Sequence, residues 1–300
     1  DKISLFFPKT LYVTEWSSQT MRVFMRARHA ILPYILVALI ASCSQIVKEP
    51  ETPIESYSAK EIYDLGEESL NRNRPVEAAE YFGEIERLYP YSEWAKRGLV
   101  MQAFSFHKGL DYPNSRSAAQ RYIDFHPASE DAAYAQYILA LSYYDQIAEV
   151  GRDQAITFKA LQELRILIER YPNNKYDAEA KLKFDLAFDY LAAKEMEVGR
   201  YYLQKGHYTA AVNRFRVVVQ DFRGSAQTPE ALYRLLEGYL ALGLQAEAQS
   251  SGAVLAKQYG SSDWYEDSVL LLSKNGLSPD ASNDTWLSQM YRQMIKGQWL

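Results

Sequence analysis

Residues 78–92 read AAEYFGEIERLYPYS, and the spacing inside this stretch decides the fold. Ala78 is small, and Ile85, seven positions later, lies on the same face of a helix. Pro90 stops that helix because it has no N–H for the next backbone hydrogen bond. Ser92 is then placed to cap a new one. The pattern recurs at four further stops, Pro127, Pro172, Arg223 and Gly260. Twelve residues before the five stops stand Ala78, Ser115, Ala160, Ala211 and Ala248, all small enough to let two helices approach closely. Five before them stand Ile85, Tyr122, Leu167, Val218 and Leu255, all apolar. One before come Tyr89, His126, Tyr171, Phe222 and Tyr259, and two after come Ser92, Ser129, Asn174, Ser225 and Ser262. Acids follow in the next helix's first turn, where they favour its dipole: Glu93, Glu130, Asp177, Glu230 and Asp263. The stops lie 37, 45, 51 and 37 residues apart, which predicts antiparallel helix pairs stacked so that each covers its neighbour's apolar face.

This small–aromatic–apolar–Pro spacing resembles the tetratricopeptide (TPR) consensus, and Ala78, Phe82, Ile85 and Pro90 match its second helix. The expected fold is therefore all-α, a solenoid of about five TPR-like helix pairs. N-terminal repeats are expected over 58–173 and C-terminal repeats over 174–274. The extra length of the third repeat falls to a loop around 145–153. That of the fourth falls to a long helix from Asn174 to about Lys205, ending at Gly206. Residues 275–300 form a polar break and then a tail. In the tail Trp286, Leu287, Met290, Tyr291, Met294, Ile295, Trp299 and Leu300 recur at helical spacing. Such a tail either folds back as a cap or docks on a partner or the membrane interface.

Upstream of the repeats the texture changes. Arg22, Arg26 and Arg28 precede an eleven-residue apolar run, 31–41, broken only by Pro33. As a helix it would reach about 16 Å, half a bilayer, so it reads as a secretory signal over 21–42 rather than a membrane span. Ile40-Ala41-Ser42-Cys43 resembles the lipobox of bacterial lipoproteins. That resemblance implies a lipidated Cys43 as mature N-terminus, sorted to the outer membrane because Ser44, not Asp, follows. Residues 1–20 contain no Met and are expected to precede the true start at Met21 or Met25. With two prolines and three glutamates after Cys43, residues 43–57 read as a flexible tether. A single cysteine excludes an intrachain disulfide, and a net charge of −5 argues against a nucleic-acid binder.

Local signatures of chemistry are missing. His107, His126 and His207 have no His or Cys at ligand spacing, and the H-E-x-x-H, P-loop and G-x-S-x-G patterns do not occur. No catalytic residue, cofactor or metal is expected. Glu68-Ser69 has the look of the Glu-Ser pair of lytic transglycosylases, but two residues carry almost no specificity. His126 occupies the aromatic inter-helix position and reads as structural. Surface is what the array offers. Most aromatics pack helix on helix, but Tyr63, Trp94 and Tyr134 fall on first helices and are the candidate substrate-groove residues.

Two longer stretches make the resemblance specific. YDLGEESLNRNRPVEAAEYFGEIERLYPYSEWA (63–95) and GRYYLQKGHYTAAVNRFRVVVQDF (199–222) are similar to the BamD family, TPR lipoproteins of the Gram-negative β-barrel assembly machinery. The second carries that family's YYxxxGxYxxAxNRF pattern. The resemblance implies C-terminal repeats that bind the POTRA domain nearest the barrel subunit. Arg214 would make an ion pair there, with Tyr208 and Asn213 beside it in the same motif. It also implies N-terminal repeats that receive unfolded outer-membrane proteins, further assembly lipoproteins as partners, and an outer-membrane lipid anchor. Read without the family, a mid-helix Arg214 fits solvent exposure or pairing with Asp221 or Glu197. Another periplasmic TPR lipoprotein, coordinating peptidoglycan or division, is the alternative; such proteins typically lack the 201–215 pattern. A solenoid peptidoglycan lyase would need a catalytic domain for which the repeats leave no room. Arg223-Gly224 departs from the Tyr-Pro stop, and the family does not settle the role of 275–300.

Overall fold

The computed structural model describes residues 53–148, 154–282 and 284–295. Cys43, the signal segment, the first part of the tether and residues 296–300, with Trp299 and Leu300, lie outside the described residues. Twelve α-helices and one 3-10 turn make up the described regular structure. Five antiparallel pairs come first. They are α1 (Ala59–Asn71) with α2 (Pro75–Leu88), α3 (Glu93–Lys108) with α4 (Tyr112–Phe125), and α5 (Ala132–Tyr144) with α6 (Ala155–Arg170). Then come α7 (Asp177–Gln204) with α8 (Tyr208–Asp221), and α9 (Thr228–Ala241) with α10 (Gln245–Gln258). Helices α11 (Asp263–Lys274) and α12 (Trp286–Ile295) follow. From α1 to α11 each helix packs on the next, α12 packs back on α10, and the first helices α1, α3, α5, α7, α9 and α11 also touch in succession as one layer.

The repeat positions explain the stack. Ala78, Ser115, Ala160, Ala211 and Ala248 are all 0% exposed, and so are Ile85, Tyr122, Leu167, Val218 and Leu255. The five residues before the stops are the C-caps of α2, α4, α6, α8 and α10. Each cap N–H donates to the carbonyl of the apolar residue four positions back. Tyr89 shows how a repeat closes on itself, its hydroxyl donating to the Tyr57 carbonyl at 2.6 Å. In the first and fourth pairs a glycine of the first helix receives an aromatic ring of the second. A Cβ on Gly66 would meet Phe82 at 2.7 Å, and one on Gly199 would collide with Phe215, the residue at the same repeat position.

The expected capping serines divide into two kinds. Ser92 and Ser262 are true N-caps, accepting from the N–H of Ala95 and Tyr265. Ser129, Asn174 and Ser225 lie two residues too early and instead brace the turn, as when Asn174 Oδ1 accepts from Tyr176 N–H at 2.7 Å. The long fourth-repeat helix is present as the 28-residue α7, followed by Gly206 at φ +75°. The loop before α6 begins at Asp145, and 149–153 lie outside the described residues.

One expectation is corrected at the tether. Ile54–Ser56 form a 3-10 turn, and Ile54 and Tyr57 pack against the first core cluster, so order begins inside the stretch read as flexible. Glu55 and Arg87 add an exposed ion pair at 3.0 Å. Two apolar side chains three residues apart were enough to dock it. In the tail, the described residues fold back as a cap. Leu287 is fully buried, Tyr291 nearly so, and Trp286 N–H donates to the Tyr239 hydroxyl at 2.7 Å.

Candidate functional site

The N-terminal candidates sit on the first-helix layer, and the structure joins two of the three. Tyr63 of α1 lies between Phe82, 5.2 Å away, and Trp94 of α3, 5.0 Å away. Lys60 and Arg97 bring cations to 5.9 and 5.3 Å from the Trp94 ring. Tyr134 of α5 belongs to a separate stack, parallel to Tyr176 at 5.2 Å, with Tyr137 on the same ring at 4.8 Å. Lys175 places its ammonium 5.0 Å from Tyr176 and 5.9 Å from Tyr134. A cavity of about 290 Å³ opens here, lined by Glu130, Asp131, Tyr134, Asn174, Lys175 and Tyr176. Burial, with Tyr176 adding to it, pushes the Tyr134 phenol up to about 12; burial also raises Tyr63. Both hydroxyls therefore stay neutral and able to donate. All three rings are half-buried: part of each packs, and part remains as a ledge with a cation beside it.

The C-terminal candidates share α8. Tyr208 opens the helix, and it is exposed along with Asn213 and Arg214. Arg214 Nη1 donates to Glu195 Oε2 of α7 at 3.1 Å, its own side chain 45% exposed and the carboxylate 23%. The partner is thus neither Asp221 nor Glu197, the latter pairing with Lys194 at 3.5 Å. A single Nη1 contact aims the planar guanidinium and leaves its remaining donors for a second carboxylate. On the neighbouring first helix, Glu230 accepts from Arg200 at 2.9 Å and Arg234 at 3.3 Å. Arg234 in turn reaches Glu237 at 2.6 Å and packs against Tyr233 and Trp264.

The remaining sequence candidates have ordinary surroundings. Glu68 pairs with Arg72 in an exposed i,i+4 bridge, while Ser69 is buried, so the two do not converge. His126 caps α4 and rests against Tyr122 at 5.3 Å. Among the described residues, no three His, Cys, Asp or Glu side chains gather as a metal site. No described helix is long and apolar enough to cross a membrane. Sequence reading missed Lys175 and Tyr176, because they stand in the turn before α7. It missed Glu195 because the register of α7 against α8 is a property of the packed pair.

Comparison with known proteins identifies a family for the chain. The outer membrane lipoprotein family YfiO matches residues 55–255. The outer membrane protein assembly factor BamD of Caulobacter vibrioides is 40% identical over 260 residues, 86% of this chain and 85% of that protein. BamD of Rickettsia prowazekii is 40% identical over 204 residues, 68% of this chain and 81% of its own length. BamD of Neisseria meningitidis serogroup A is 26% identical over 234 residues, covering 74% and 88%. The family match runs from ahead of α1 into α10 and includes the helix bearing Tyr208, Asn213 and Arg214, and the chain belongs to the YfiO family of outer membrane lipoproteins.

Proposed function

We propose that this chain is a non-catalytic scaffold of outer-membrane β-barrel assembly, held at the periplasmic face of the outer membrane by lipid on Cys43. Its C-terminal repeats bind the POTRA region of the barrel-forming subunit through Arg214, with Tyr208 and Asn213 flanking the contact. Its N-terminal repeats receive unfolded outer-membrane proteins on the ledge of Tyr63, Trp94 and Tyr134, and other assembly lipoproteins join the complex. The observation that carries this reading is the exposed Arg214 guanidinium, oriented by one intramolecular carboxylate on a family-matched helix. A fixed, always-charged fork suits a bidentate contact to an acidic partner. The aromatic ledge suits sequence-tolerant capture of extended chain, since rigid rings give contact area at low entropic cost.

The test is affinity purification from detergent-solubilised membranes. A POTRA-bearing barrel protein should co-purify with the chain; its absence would sink the reading. A zymogram on purified murein should stay uncleared, and clearing would revive the lyase alternative.

A further inference from the structure

Two grooves between neighbouring second helices are built alike and filled differently. Between α8 and α10, floored by α9, lies α12. Thr285 Oγ1 at its start donates to Ser250 Oγ at 2.9 Å, the Arg216 guanidinium lies 4.5 Å over Trp286, and Lys257 lies 5.1 Å over Tyr291. Met290 roofs a residual cavity of about 400 Å³ bounded by Val219, Leu232, Val254 and Tyr259. One repeat earlier, between α6 and α8 and floored by α7, a cleft of about 410 Å³ has no helix over it among the described residues. Leu161, Ile166, Phe188, Leu191 and Phe222 line this cleft, and Phe158 stands at it 56% exposed.

The repeat register makes the two grooves equivalent. Arg165 lies seven residues before Pro172, as Arg216 lies seven before Arg223. Phe222 precedes its stop by one, as Tyr259 does, and Asn213 precedes its stop by ten, as Ser250 does. The open cleft therefore repeats the aromatic end wall in Phe222 and an arginine at the register of Arg216, here with the Arg165 guanidinium 5.6 Å over Phe184 of α7, while Asn213 holds the register of Ser250 beyond the cleft lining.

We propose that the α6/α8 groove docks an amphipathic helix of a partner protein, laid as α12 is laid in the next groove. The ligand helix runs parallel to α8. It carries an aromatic residue in its first turn, over Arg165, and apolar side chains one, four and five positions on, the pattern of Trp286, Leu287, Met290 and Tyr291. Its last turn is basic, because it ends beside Glu169 and Asp221, two acids at the C-terminal ends of α6 and α8 where the helix dipoles are also negative. No contact with Arg214 is required; Asn213 is the one residue the two sites share, so Phe158 and Arg165, which lie outside the POTRA contact, are the positions that tell them apart.

The probe is a fluorescently labelled peptide of residues 284–295, DTWLSQMYRQMI, titrated into the intact chain. Its own groove is already held by tethered α12 at an effective concentration of order mM, so a micromolar peptide selects the open one. Saturable binding is expected, weakened about tenfold or more by Phe158→Asp or by Arg165→Glu, both exposed positions whose circular dichroism should not change. Absence of binding, or binding insensitive to both substitutions, would overturn the proposal. So would a dimer abolished by Phe158→Asp, since the occupant would then be a second copy of the chain.

Discussion

The two ends of this solenoid use one scaffold to present different chemistry. In the first three pairs the first-helix layer shows half-buried rings with cations over them, Trp94 under Lys60 and Arg97 and Tyr134 beside Lys175. In the fourth and fifth pairs rings are present too, Tyr233 with Trp264 of α11 under Arg234, but that cation is tied into a chain of matched charges, Arg200–Glu230–Arg234–Glu237, with Arg214–Glu195 joining α8 to α7. Rings accept many sequences and directions, whereas a guanidinium fork demands a carboxylate in one place. The difference teaches that a repeat fold fixes only its buried positions; what each half recognises is set by side chains that the register leaves free.

That contrast can be broken in graded ways. The largest expected effect tests the shared scaffold. Gly199→Ala drives a methyl into Phe215 and should cost about 1–3 kcal/mol in urea unfolding, and Gly66→Ala against Phe82 should cost a similar amount. A neutral result at either position would mean the halves are not packed by the same rule. Next, the Tyr63→Ala, Trp94→Ala double variant should weaken capture of unfolded barrel protein about tenfold while leaving POTRA binding unchanged. Loss of both activities would erase the division of labour. The smallest effect concerns the turn between α3 and α4. Leu110 holds φ +62° at 70% exposure, where two other pairs place Gly206 and Gly243. Leu110→Gly should raise stability by about 0.5–1 kcal/mol, read as a higher urea midpoint; a fall would show that Leu110 packs in some way its exposure does not reveal.

How much of this was legible in the sequence follows from what the register controls. The ten fully buried positions were readable because sterics at a helix crossing admit few residues there. Gly206 marked the end of α7 because a left-handed residue is needed after it. Ser129 and Ser225 were misjudged as caps because a serine near a helix start can as easily bond the preceding turn, and spacing alone does not separate the two. The docking of Ile54 and Tyr57 was hidden by the prolines and glutamates around them. Tyr63 and Trp94 were identifiable as surface candidates, but their contact across α1 and α3, and the pairing of Tyr134 with Tyr176, needed three-dimensional placement. Arg214 stood out by motif, and its intramolecular partner did not, because Glu195 and Glu197 differ by half a turn of a helix whose rotation the sequence leaves open.

The most direct test of the central claim, that α8 offers a charged fork to a folded partner, is calorimetric titration of the POTRA region of the cognate barrel subunit into the chain. Arg214→Glu, which places two carboxylates side by side with Glu195, should weaken binding at least about tenfold while helicity stays intact. Unchanged affinity in the substituted chain would contradict the claim and remove Arg214 from the interface.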